Sequence, residues 1–186
     1  EIVEAKKAYE SQVRYGYNQG FDPRGIVGDN YPDTSVERYG NPDVAGPGPL
    51  HGTHGAGIIA ALDSAGVRGI ARNVKIMALR AVPDGDERDK DIANAIRYAA
   101  DNGAHIINMS FGKAYSPHKT FVDDAVKYAD SKGVLMVHAA GNESANVDST
   151  ASFPTPVYLD GSGRARNWIE VGATSWHGKD SLVATF

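Results

Sequence analysis

A histidine stands where a glycine-rich loop turns into a run of small and apolar residues: Leu50-His51-Gly52-Thr53-His54-Gly55-Ala56-Gly57-Ile58-Ile59-Ala60-Ala61-Leu62. An imidazole at the start of a stiff element, with its ring near the surface, is suited to carry a proton to and from a reacting group. A solvent-exposed or helix-capping histidine would fit the same position. His54 lies one helical turn on and shares the face of His51, and a His-x-x-His pair can also bind zinc. No cysteine or carboxylate is spaced to complete such a site, and the His-Glu-x-x-His pattern is absent. A metal-dependent hydrolase using His51 and His54 is kept as an alternative.

Two further segments could do chemistry. Asn142 follows an apolar run and Gly141, in Ala139-Ala140-Gly141-Asn142. Its carboxamide N–H could donate to an oxyanion, or the residue could simply serve a turn. Ser110 lies in Asn108-Met109-Ser110-Phe111-Gly112. Asn108 stands where a nucleophile elbow has its first glycine, so the strained turn that exposes a serine nucleophile is not encoded. The backbone there could instead line a groove that takes an extended peptide.

These residues need elements to hold them. Residues 1 to about 13 have helical spacing, Tyr15 to Leu50 read mostly as loop, and Gly25 to Gly28 suggest a brief strand. Leu50 to Leu62 become a helix despite glycines that cost roughly 1 kcal/mol each against alanine. Val74 to Val82 is a strand candidate. Asp89 to Asn102 is a helix with Ile92, Ala95, Ile96 and Ala99 on one face, and Ile106 to Phe111 is an apolar strand. Phe121 to Lys132 is a second amphipathic helix closed by Gly133, and Val134 to Ala139 is a continuous apolar strand. Strand, helix, strand, helix, strand predicts a parallel sheet with crossover helices, whose functional groups gather at the carboxyl ends of the strands. Asn108 to Gly112, Ala139 to Glu143 and the charged turn Asp84 to Arg88 sit at those ends.

Composition narrows the classes. The chain of 186 residues has 19 Lys plus Arg against 23 Asp plus Glu, a net charge of −4, which leaves no electrostatic footprint for nucleic acid. Its apolar runs are well short of the roughly 20 residues of a membrane span. The absence of cysteine excludes a disulfide scaffold, a thiol nucleophile and a cysteine-based zinc site. An apolar fraction of 41% supports one loop-rich globular domain.

Taken together, the His51 to Gly57, Asn108 to Gly112 and Ala139 to Asn142 segments resemble, in order and spacing, the subtilisin-like serine peptidases, the subtilases. The resemblance covers about Gly25 to Phe186. It implies an α/β fold, three-layer α/β/α with a mostly parallel sheet, and a serine endopeptidase with an Asp-His-Ser triad acting on protein or peptide substrates. It implies that His51 is the general base and Asn142 the side-chain donor of the oxyanion hole. Ser110, Phe111 and Gly112, with Ala139, Ala140 and Gly141, would wall the S1 pocket, open to sizeable apolar side chains. Leu79 to Ala81 would contact substrate upstream of the scissile bond. No cofactor is required, and no metal is assigned to the site. Structural calcium is the metal the resemblance could bring in, at Leu62 to Val67, a loop shorter than the family's calcium-binding version. Localisation outside the cytoplasm, secreted or in the cell envelope, is implied in the same way.

The chain also departs from the pattern. Subtilases run Asp, His, Ser in chain order. No strand leading into Asp-Ser/Thr-Gly precedes His51; Asp29, in Val27-Gly28-Asp29-Asn30-Tyr31, is the nearest candidate and lacks that continuation. No Gly-Thr-Ser-Met-Ala-like segment follows Asn142, and Gly55 replaces a valine usual in the histidine motif. The expectation is a partial catalytic domain, incomplete at both ends, with the aspartate before Glu1, the serine beyond Phe186, and residues 1–24 as an insertion or linker. Residues 1–186 alone would then be nearly inert, and the strand edge and apolar face left open would favour self-association. The alternative function is a catalytically inactive, subtilase-like peptide-binding module.

Overall fold

In a computed structural model, the described residues are all but 1, 19, 36–37, 47, 49, 64–65, 84, 86, 178–181 and 185–186. Ser64 and Ala65 of the loop after the His51 helix, Asp84 and Asp86 of the charged turn, and Phe186 therefore lie outside them.

Helix α1 spans Ile2–Ser11 and passes into a π-helical turn, Gln12–Gly16. The Gly25 to Gly28 segment is a short helix, α2 (Arg24–Val27), and not a strand. The Asp22 carboxylate accepts the Arg24 N–H at 2.9 Å to start it, and Gly28, at φ 74°, ends it in the left-handed region. Helix α3 is Leu50–Ala60 and has no buried residue.

Helices α4 (Asp89–Asp101) and α5 (Lys119–Ser131) pack on each other. Their apolar stripes, Ile92, Ala93, Ile96 and Ala99 with Val122, Ala125, Val126 and Ala129, form the core with Met109 and Met136 from the strands and Val134 from the turn after α5. Each fully buried large aliphatic there contributes about 1.5–3 kcal/mol. Acidic Asp89 and Asp91 lie in the first turn of α4, where they oppose the helix dipole. Gly133, at φ 75°, turns the chain out of α5 into the next strand.

The sheet has strands β1 (Ile106–Met109), β2 (Leu135–Ala139) and β3 (Trp168–Val171) in the order β1-β2-β3, all parallel. Helix α5 is the crossover between β1 and β2. β1 stops at Met109, so Ser110 and Phe111 belong to the loop beyond it. β3, with Glu170 in its centre, was not foreseen from the sequence. Val74 to Val82 do not join the sheet. They are exposed except at Ala81, which packs against the core, and among the described residues β1 has no partner on the edge away from β2. An apolar run becomes a strand only where a ladder partner meets it, and none does here.

Candidate active site

The carboxyl ends of β1 and β2 open onto a cleft of about 270 Å³. Ser110, Phe111 and Gly112 from the first end and Ala139, Gly141 and Asn142 from the second line it together. Gly85 and Glu87 of the charged turn and Glu143 complete the lining as their place at the strand ends predicts, together with Val82 and Ser152, which were not expected there. Of the sequence-derived substrate contacts, Ala140 and Leu79 to Ala81 lie outside it. Ala140 is instead tied to the neighbouring strand by its N–H, 2.9 Å from the Val171 carbonyl oxygen.

Hydrogen bonds fix both walls. Lys113 and Phe153 exchange backbone bonds at 3.2 and 2.8 Å, which clamps Gly112 against Ser152. The Lys113 ammonium, buried, meets Asp89 Oδ1 at 2.7 Å and the Glu87 carbonyl at 2.6 Å, so the start of α4 is pinned to the same wall. On the other side Gly141 takes φ 95°, and a Cβ there would lie 2.5 Å from Glu143 Oε2. That oxygen accepts the Asn142 backbone N–H at 2.8 Å. Only glycine allows this turn, which leaves the Asn142 carboxamide exposed and donating to no described residue. Ser110 Oγ accepts from Asn108 Nδ2 at 2.9 Å, a bond within its own loop.

His51 is exposed on α3, one residue from its start, and does not line the cleft. Among the described residues it has no hydrogen bond or ion pair, and no carboxylate orients its ring. His54 is exposed on the same helix. Among the described residues no group of three His, Cys, Asp or Glu side chains converges on one point. At the end of α3, Ile70 and Ala71 donate back to the Ile58 and Ile59 carbonyls at 3.0 and 2.7 Å. Asp63, in the loop that follows α3, is bound by Arg68 at 2.7 Å.

Asp29 is not arranged as a partner for His51. Its side chain is fully buried, with Oδ1 receiving Lys90 Nζ at 2.5 Å and Oδ2 receiving Arg24 Nη1 at 2.9 Å. Burial opposes its charge, but the bonds from Lys90 and Arg24 outweigh that and hold the carboxyl below its ordinary range. Arg24 also makes a two-pronged pair with Asp91 at 2.9 and 2.8 Å, and the Asp91 bond chiefly holds its guanidinium protonated. The cluster fastens the segment from Arg24 to Asp29 to α4.

The sequence matches the Subtilase family profile over residues 24–183, which takes in α2, α3, the cleft and all three strands. The chain belongs to the subtilase family. Among similar subtilases is a "Thermophilic serine proteinase" of Bacillus sp. (strain AK1), 46% identical over 126 residues that make up 66% of this chain and 28% of that one. "Subtilisin BL" of Lederbergia lenta is 40% identical over 126 residues, 67% of this chain and 42% of that one. Among solved structures, "Sphericase" superposes with a TM-score of 0.58 at 34% identity, covering 72% of this chain and 42% of that one. "S41 Psychrophilic Protease" gives 0.57 at 31% identity, with the same coverages. The fold is thus the α/β fold of subtilases, and the chain spans less than half the length of these relatives.

Proposed function

We propose that the protein is a serine endopeptidase of the subtilase class. The observation that carries this reading is the convergence of Ser110 to Gly112 with Ala139, Gly141 and Asn142 around one cleft at the carboxyl ends of adjacent parallel strands, in a chain of that family. In the whole protein a serine attacks the peptide carbonyl, and His51 takes its proton and returns it to the leaving amine. The Asn142 carboxamide donates to the oxyanion of the tetrahedral intermediate. The triad serine and aspartate are assigned to residues outside 1–186, because no Asp-Ser/Thr-Gly segment precedes His51 and no Gly-Thr-Ser-Met-Ala-like segment follows Asn142. A strand carrying that aspartate would fit the free edge of β1.

Substrates are proteins or peptides lying along the cleft, with a sizeable apolar side chain taken up beside Phe111, Ala139 and Gly141. No cofactor takes part in the chemistry, and calcium is not assigned to the loop 62–67. Export from the cytoplasm is part of this reading and rests on the resemblance to the family. No helix among the described residues is long and apolar enough to cross a membrane.

A second reading, a peptide-binding module without catalysis, is favoured by one observation: His51 has no orienting carboxylate among the described residues. Hydrolysis of a fluorogenic casein by the full-length protein separates the two. Cleavage that is lost in His51→Ala supports the peptidase, and binding of casein without cleavage supports the module.

A further inference from the structure

The backbone ladder behind the cleft stops short of Asn142. Among the described residues, Ala140 is the last of this wall bonded to its neighbour strand, by its N–H to the Val171 carbonyl oxygen at 2.9 Å. Beyond it Gly141 and Ser144 both take left-handed backbone, at φ 95° and 54°, and the chain bends between them. The Glu143 side chain folds back over Gly141, so that a Cβ there would stand 2.5 Å from Glu143 Oε2. That oxygen accepts the Asn142 backbone N–H at 2.8 Å. It is the one hydrogen bond that Asn142 makes among the described residues.

An oxyanion donor works only where its N–H meets the atom on which charge develops, and a misplacement of about 1 Å can cost on the order of 10²-fold in rate. The Asn142 carboxamide is exposed, and no bond of its own fixes it. Its position is therefore set by its backbone, and that backbone is held by the carboxylate of the next residue. Glu143 is itself exposed and bonds no other described residue, so it ties down no distant part of the fold.

We propose that Glu143 is a positioning residue for the oxyanion donor: its side-chain oxygen locks the turn from Gly141 to Glu143 and so holds the Asn142 carboxamide where the oxyanion forms. This deepens the endopeptidase reading and rests on it. The role belongs to the acceptor oxygen and not to the negative charge, since like charge opposes a developing oxyanion.

The test measures kcat and KM of the full-length protein on fluorogenic casein. Glu143→Ala should lower kcat roughly five- to tenfold, the scale of one net hydrogen bond, with little change in KM. Glu143→Gln, whose side-chain oxygen accepts the same N–H, should recover most of that loss. The double variant, Glu143→Ala with Asn142→Ala, should be no slower than Asn142→Ala alone, because the tether has nothing to hold once the carboxamide is gone. Both positions are exposed, so these substitutions leave the packed core untouched. An active protein whose kcat is unchanged in Glu143→Ala overturns the proposal, and so does a loss that Glu143→Gln does not recover. A loss that persists in full on top of Asn142→Ala overturns it as well, and would mean that Glu143 acts on the substrate directly. A wild-type protein that leaves casein uncut is a different failure: the endopeptidase reading falls, and this proposal falls with it.

Discussion

Lys90 Nζ and Asp29 Oδ1 meet at 2.5 Å, the first side chain only 2% exposed and the second fully buried, and the same ammonium takes the backbone carbonyls of Asn30 and Asp33 at 2.8 and 2.6 Å. A lysine of α4 thereby fills a cage of oxygens supplied by the loop after α2. The pair is structural, and removing one partner strands the other. Asp29→Asn should lower unfolding stability by about 3–5 kcal/mol, the usual cost of leaving a buried charge unpaired. Denaturant melts would show it. If Asp29 served the triad instead, the variant would lose activity with its stability intact.

The same pair fixes an acid limb to stability. The Asp29 carboxyl is held below its ordinary value of 3.8, with Lys90 and Arg24 overcoming the opposing effect of burial. The unfolded chain therefore binds this proton at higher pH than the native state does. The stabilisation is fully present above about pH 4 and is lost as pH falls through the lower native value. Melts repeated between pH 6 and pH 3 should show a steeper loss in wild type than in Asp29→Asn. Parallel curves would contradict the assignment.

Gly69 lies where the chain returns along the end of α3. A Cβ on it would come within 2.4 Å of the Ala61 backbone nitrogen, and its own N–H donates to the Ala61 carbonyl at 2.9 Å. Gly69→Ala cannot be accommodated by a side-chain rotation, so it should cost about 1–3 kcal/mol. Amide exchange should quicken at Ile70 and Ala71, the residues bonded back onto α3.

If Asn142 donates to the oxyanion, Asn142→Ala should lower kcat about 10²–10³-fold with little change in KM, the loss known for such a donor in subtilisin. A rise in KM alone would make Asn142 a binding residue.

Much of this was legible in the sequence. Ile92, Ile96 and Ala99 recur at helical spacing, and Val134 to Ala139 form an apolar run interrupted only by His138, so α4 and β2 follow from local pattern. The Asn108 to Gly112 and Ala139 to Asn142 segments do share a cleft, because parallel strands bring their carboxyl ends together. What was not legible depends on contacts distant in sequence. Gly25 to Gly28 read as a strand until Asp91 and Asp29 capture Arg24 and the segment becomes α2. Val74 to Val82 have the composition of a strand, but pairing decides whether they form one. β3 is four residues with a charge in the middle, and only Glu170 facing His138 explains that charge. A histidine inside an otherwise apolar run was the one signal that could have pointed to it.

The central claim is that His51 serves a serine nucleophile in the full-length protein. Fluorophosphonate labelling read by intact mass tests it most directly, with His51→Ala and residues 1–186 alongside. The account predicts one label on the wild-type protein, none on His51→Ala and none on residues 1–186. A folded wild-type protein that takes no label would contradict it and leave the peptide-binding module.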